Sequence, residues 1–254
     1  MVKVVERRYR DGDIIDIDEY LDGRYGAPGA ERSDKKKPTE EQMRKVNAYN
    51  KMRRCRARLL EYFNPEDLFV TWTYEVKNRP PDIKTAKKHF GDAMRQIRQG
   101  YKIRGRTLFW IRNIEQGTKG AWHIHLVINK IDGTEEAVRK AWQHGGTYIE
   151  EIRLSEKLYD EDFTKLASYM TKDEYSTEPT KDGGQSKPRI KQASYSTSRN
   201  MPLKEPRFHR RLRWKRVIKP KKGYVILHSH EGFNPATGYP YRRYTMVRKR
   251  GDPE

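Results

Sequence analysis

Apolar residues are scarce along this chain and arrive in two rhythms. Short runs rich in β-branched and aromatic residues predict strands, and positions recurring every three or four residues predict amphipathic helices. The sharpest run is Trp122-His123-Ile124-His125-Leu126-Val127-Ile128. On a strand, Trp122, Ile124, Leu126 and Ile128 turn to one face while His123 and His125 turn to the other. Thr107 to Ile114 is a second apolar strand ending at Glu115. Gln116-Gly117-Thr118-Lys119-Gly120 turns it back, so the two strands pair antiparallel. Leu68 to Tyr74 and Thr147 to Ile152 are further strands.

Helical spacing accounts for most of the rest. Thr39 and Gln42 form a capping box after Pro38 and start a helix reaching Tyr62, with Met43, Val46, Leu59, Leu60 and Phe63 as core contacts. Asp82 caps a second helix running to about Gln99, its inward face Ile83, Ala86, Phe90, Met94 and Ile97. A third spans Gly133 to His144 and stops at Gly145-Gly146. A fourth starts at Ser155 or Asp160 and ends near Lys172, with Tyr159, Phe163, Leu166, Ala167 and Met170 in one stripe. At the two ends the pattern is weaker. Val2–Val5 and Ile14–Ile17 read as short strands around an Asp11-Gly12 turn. Tyr224–Leu227 and Tyr244–Val247 read as late strands joined by a turn-rich stretch from Gly232 to Tyr241. Gly23 to Gly29 and Lys35-Lys36-Lys37 form a loop or arm, or else a solubilising tail, and Thr180 to Pro188 is a mobile loop.

Charge narrows the function. Of 254 residues, 35% are charged and 34% hydrophobic, with a net charge of +20. A field that positive selects a polyanionic partner, and 11% aromatics interleaved with the cations favour nucleic acid over a membrane surface. No run approaches the ~20 apolar residues of a membrane span, and no secretory segment opens the chain. The one cysteine, Cys55, has no partner for an internal disulfide, which fits a reducing cytoplasm.

The candidate chemistry sits on the hairpin. His123 and His125 either hold one metal ion together or lie on a merely solvated face. If the register sets Glu115 against His123, a carboxylate joins the two imidazoles. Two nitrogens and an oxygen suit a catalytic divalent ion, Mn²⁺ or Mg²⁺, with zinc also compatible by ligand type. On the fourth helix, Ser168-Tyr169-Met170-Thr171-Lys172 offers a phenol with an ammonium nearby. By itself Tyr169 reads equally as an amphipathic anchor.

Three stretches in order, Leu68 to Tyr74, Glu115 with His123-Ile124-His125, and Tyr169 to Lys172, resemble the motifs of HUH endonucleases. The resemblance is to rolling-circle replication initiators of bacterial plasmids and phages, and it covers about residues 60 to 200, including Tyr195 to Asn200. It implies an α+β fold: an antiparallel five-stranded sheet with helices on one face, of the RRM or ferredoxin-like kind. A basic N-terminal helix and a small C-terminal β extension are added. The expected domains are an arm at 1–38, the endonuclease domain at 39–200 and a basic extension at 201–254.

The resemblance also assigns roles. Glu115, His123 and His125 would hold the metal, Tyr169 would attack the scissile phosphate, and Lys172 would help orient or charge-balance that site. The product would be a 5′-phosphotyrosine link and a free 3′ hydroxyl. The partners implied are single-stranded DNA at an origin hairpin and a host helicase supplied in trans, because no Gly-x-x-x-x-Gly-Lys-Ser/Thr loop occurs in the chain. A transposase or relaxase shares this chemistry, and a binder without catalysis is the other class. Tyr175, six residues past Tyr169, lacks the one-turn spacing of a tyrosine pair. The run Arg207 to Arg216 either tracks the DNA backbone, with Phe208 or Trp214 stacking on bases, or forms a basic helix with inward aromatics. Lys165, Arg199, Arg210, Arg211, Arg213 and Trp214 are the candidate DNA contacts.

Overall fold

A computed structural model of the chain describes residues 1–21, 37–177, 186–234 and 239–249. Two compact units divide it: Ala48–Pro202, and Met1–Asn47 together with Leu203–Glu254. Both are built on antiparallel sheets, and the fold is α+β.

In the first unit the strands are β3 (Leu68–Thr73), β4 (Trp110–Gly117), β5 (Trp122–Ile128), β6 (Thr147–Glu151) and β7 (Ile190–Thr197). They lie in the order β6-β3-β5-β4-β7, which makes the histidine strand central. Its alternation holds as expected: Trp122, Ile124, Leu126 and Ile128 enter a buried cluster with Leu68, Val70 and Trp72 of β3. The helices α2 (Ile83–Ile103) and α3 (Thr134–Ala141) close this side. Phe90, Met94 and Ile97 supply the inner stripe, and Trp72 stacks on Trp142 at 4.8 Å between ring centres. Asp82 caps α2 by accepting from the Thr85 backbone N–H at 2.7 Å. Gly145 is fixed by proximity, since a Cβ there would meet the Thr73 carbonyl oxygen.

Helices were expected on one face only, but they flank both. The other helices of the chain are α1 (Glu40–Tyr62) and α4 (Thr164–Met170). The last turns of α1 bury Cys55, Leu59, Leu60 and Phe63, and Cys55 hydrogen-bonds Tyr195 of β7, on the histidine side of the sheet. Helix α4 covers the same side, burying Leu166, Ala167 and Met170. The reason is visible in the strands: Phe69, Ile111 and Val127 are apolar positions on that face and need a cover.

Three other expectations change in detail. The capping box at Thr39 and Gln42 forms, yet Met43 and Val46 are exposed at 43% and 52% rather than in a core. The first turns of α1 carry mostly charge, including a Glu41–Lys45 pair at 2.7 Å, and too few apolar positions to define a buried stripe. Helix α3 ends at Ala141, short of His144. Helix α4 begins at Thr164 rather than at Ser155 or Asp160. Asp162 is held by Arg56 at 2.7 Å and caps the Thr164 N–H, while Phe163 sits at φ 57°, so the preceding segment cannot continue the helix.

The second unit joins the two chain ends. Strands β1 (Val2–Tyr9), β2 (Ile14–Leu21), β8 (Arg207–Arg211), β9 (Tyr224–Phe233) and β10 (Pro240–Arg248) form a sheet ordered β8-β1-β2-β10-β9. The expected arm and extension thus share one sheet, because β1 and β2 together leave two open edges and β8 and β10 satisfy their backbone groups. A cluster of Val2, Val4, Ile15, Ile17, Tyr244 and Met246 packs one side, and Trp214 and Ile218 lie over it. Within that side Glu19 and Arg242 are each 1% exposed and joined at 2.6 Å, with Tyr244 donating to Glu19 at 2.9 Å and Arg211 also bound to it. The loop expectations at Gly23 to Gly29, Lys35-Lys36, most of Thr180 to Pro188 and the middle of Gly232 to Tyr241 lie outside the described residues.

Candidate active site

The hairpin register sets Glu115 directly opposite His123 and Asn113 opposite His125, while β3 brings Thr71 to His125 from the other side. All of these point away from the apolar cluster of α2. Nε2 of His125 lies 3.1 Å from Oε1 of Glu115, and Oγ1 of Thr71 lies 3.2 Å from Nδ1 of the same ring. The two imidazoles are nearly parallel, 5° apart, with ring centres separated by 6.3 Å. Phe69 stacks on the far side of His125 at 5.8 Å.

Helix α4 delivers the phenol to this face. The Tyr169 hydroxyl is 3.2 Å from Nε2 of His125, and its ring meets those of His125 and Phe69 edge-on at 5.0 Å and 5.8 Å. Lys172 sits with Nζ 5.3 Å from the centre of the Tyr169 ring. Asn113 ties the end of α4 down by donating from Nδ2 to the Lys172 carbonyl at 2.9 Å, and its own Oδ1 is buried without a partner. A cavity of about 200 Å³ opens beside the phenol, lined by Glu115, Tyr169, Lys172, Ser176, Ser186, Arg189 and Ile190.

Burial opposes ionisation of Glu115, but its hydrogen bond to His125 and the charges of both histidines and Lys172 outweigh that and hold its carboxyl below the usual range. Desolvation, with His125 and Arg79 adding to it, lowers His123, so its imidazole is neutral at pH 7. A neutral imidazole and an ionised carboxylate are the forms that ligate metals. By donor type, two imidazoles and a carboxylate on adjoining strands fit a divalent ion. Among the described residues no three such side chains are yet gathered around one point. His125 instead directs Nε2 to Glu115 and Tyr169.

Residues 67–174 match the family model for replication-associated protein ORF2. That segment runs from the start of β3 to just past α4 and contains Glu115, His123, His125, Tyr169 and Lys172. The match supports a role in replication initiation. No curated protein matches, and no solved structure matches. No helix among the described residues is long and apolar enough to cross a membrane.

The other candidates are dispersed. Lys165 is exposed on α4, and Arg199 is exposed just after β7. Arg207 to Arg216 is not a helix: β8 takes its first half, with Phe208 58% exposed. Trp214 turns inward, where the Arg242 guanidinium lies 4.7 Å from its ring. Arg211 is engaged by Glu19, whereas Arg210 and Arg213 are exposed. Tyr175 is 62% exposed, beyond the end of α4. Thr71 and Asn113 carried no assigned role in the sequence reading. Their alternation was legible, but their roles depend on which strands flank β5, and pairing order is not written in local pattern.

Proposed function

We propose that the chain is a metal-dependent nickase and ligase of single-stranded DNA that starts rolling-circle replication at an origin. The observation that carries this reading is the 3.2 Å approach of the Tyr169 hydroxyl to His125, whose same nitrogen contacts Glu115. A phenol brought to a cluster of metal-type donors, in a cavity with a lysine on its wall, is what phosphodiester attack requires.

Glu115, His123 and His125 would hold a divalent ion such as Mn²⁺ or Mg²⁺. When bound, it would stabilise negative charge on the non-bridging phosphate oxygens. Thr71 orients the His125 ring through Nδ1, and Asn113 keeps the end of α4, and with it Tyr169, against the sheet. Lys172 adds positive charge beside the phenol, which favours its ionised form. In the step itself the Tyr169 oxygen bonds to phosphorus as the bond to the 3′ oxygen breaks. The proton lost by the phenol is formally the one gained by the 3′ hydroxyl. Because the phosphodiester energy is kept in the 5′-phosphotyrosine link, the 3′ hydroxyl can reverse the step and rejoin the strand without ATP. Strand unwinding would fall to a host helicase acting in trans.

The test incubates the protein with end-labelled single-stranded origin DNA and Mn²⁺, followed by a denaturing gel. A covalent adduct should form, vanish with EDTA, and fall at least about a thousandfold in Tyr169→Phe while binding survives. Binding without any adduct in the wild-type protein would instead make this a non-catalytic nucleic-acid binder.

A further inference from the structure

The second sheet carries a patterned row on the side away from its apolar cluster. Strand pairing sets Arg210, Lys3, Tyr20, Tyr241 and Gly232 side by side across all five strands. Two residues along each strand, on the same face, runs a second row: Phe208, Val5, Asp18, Arg243 and His230. Val2, Val4, Ile15, Ile17, Tyr244 and Met246 occupy the opposite side of the pleat.

Rings and cations alternate here. Phe208 is 58% exposed, and Tyr20 and Tyr241 are partly exposed. Nζ of Lys3 lies 5.1 Å from the Phe208 ring centre and 5.8 Å from that of Tyr20. The Arg243 guanidinium is 5.0 Å from the Tyr241 ring. Tyr241 lies down against β9 because its neighbour there is glycine: a Cβ on Gly232 would sit 2.9 Å from the phenol oxygen. The single carboxylate in the two rows, Asp18, is matched by Arg7 at 2.7 Å and Arg243 at 3.5 Å, so the surface is left positive.

We infer that this face of the second sheet is a binding surface for single-stranded DNA, separate from the Tyr169 site. Tyr20, Tyr241 and Phe208 stack on bases, and Lys3 and Arg210 meet phosphates. The ligand must be polyanionic, to answer the cations, and must offer flat faces, to answer the rings. Unpaired nucleotides offer both, whereas a duplex hides its base faces in its own stack. This rests on DNA being the partner but not on Tyr169 being a nucleophile.

The full-length protein is titrated in EDTA against a short fluorescent single strand, the corresponding duplex, and an RNA of the same sequence, with anisotropy as readout. Phe208→Ala should weaken single-strand binding about tenfold and leave duplex binding unchanged. Phe208→Trp should restore it to within about twofold. Lys3→Gln should reduce the salt slope for the single strand by about 0.7. Equal binding by the Ala and Trp variants, equal losses on single strand and duplex, or tighter binding of the RNA would each overturn the assignment. Adduct formation at Tyr169 is read separately, so loss of one reading leaves the other measurable.

Discussion

Both sheets are antiparallel and five strands wide, yet they use the pleat in opposite ways. The β6-β3-β5-β4-β7 sheet gathers its polar side chains to one point, where Glu115, His125 and Tyr169 share a single imidazole nitrogen. The β8-β1-β2-β10-β9 sheet divides its polar groups between two faces. It buries one acidic centre, Glu19 with Arg242, Arg211 and Tyr244, under its apolar cover and spreads exposed rings and cations in rows on the other side. Convergence suits bond making, where atoms must meet within hydrogen-bond reach. Rows suit an extended ligand, which gains by repeating modest contacts along its length. The difference teaches that a buried charge means different things in the two places. In the first sheet it adjoins an open cavity, and in the second it is closed by its partners.

That contrast can be broken experimentally. Glu19→Ala strands the buried Arg242 guanidinium and should cost about 3–5 kcal/mol of stability in denaturant unfolding. If the loss is under about 1 kcal/mol, the second sheet is not held by that centre. Next in size, Thr71→Val removes the hydroxyl at Nδ1 of His125. Scission should drop roughly tenfold to a hundredfold with unfolding midpoint little changed. An equal loss of stability would mean that Thr71 serves the fold rather than the imidazole.

The smallest effect sharpens the comparison from within the first unit. Asp173 follows Lys172 and pairs with Lys51 of α1 at 2.7 Å. Burial raises its carboxyl, but the Lys51 hydrogen bond and charge, with hydrogen bonds from Ser176 and the Tyr175 N–H, prevail and hold it below the ordinary value. A depressed carboxyl stabilises above its unfolded pKa, and that contribution is lost as pH falls through the folded value. Asp173→Asn should therefore destabilise by about 0.5 kcal/mol at pH 7, a partly exposed pair being screened, and by nothing near pH 3. A difference that persists in acid would point to packing instead of charge.

Local pattern carried most of the first unit. The strand at Trp122–Ile128, the Asp82 cap and the Thr39 capping box all follow from side-chain period and backbone chemistry acting over a few residues. The candidate site was equally legible as a set of residues, since Glu115, His123, His125 and Tyr169 each stood out by type and spacing. Met43 and Val46 misled because an apolar residue at helical spacing predicts a buried stripe only if something packs there. The start of α4 misled because Arg56, far away in sequence, holds Asp162.

The sequence by itself determined the alternation that turns His123 and His125 away from the core, the helix that carries Tyr169, and the strong positive charge. These depend on neighbours along the chain. Only the tertiary structure decided that Thr71 flanks His125, that the phenol reaches the histidine, and that both chain ends complete one sheet with Phe208 outward and Trp214 inward. Those outcomes depend on which strands pair and which faces find cover, and such contacts are settled by burial and hydrogen-bond satisfaction between segments far apart in the chain.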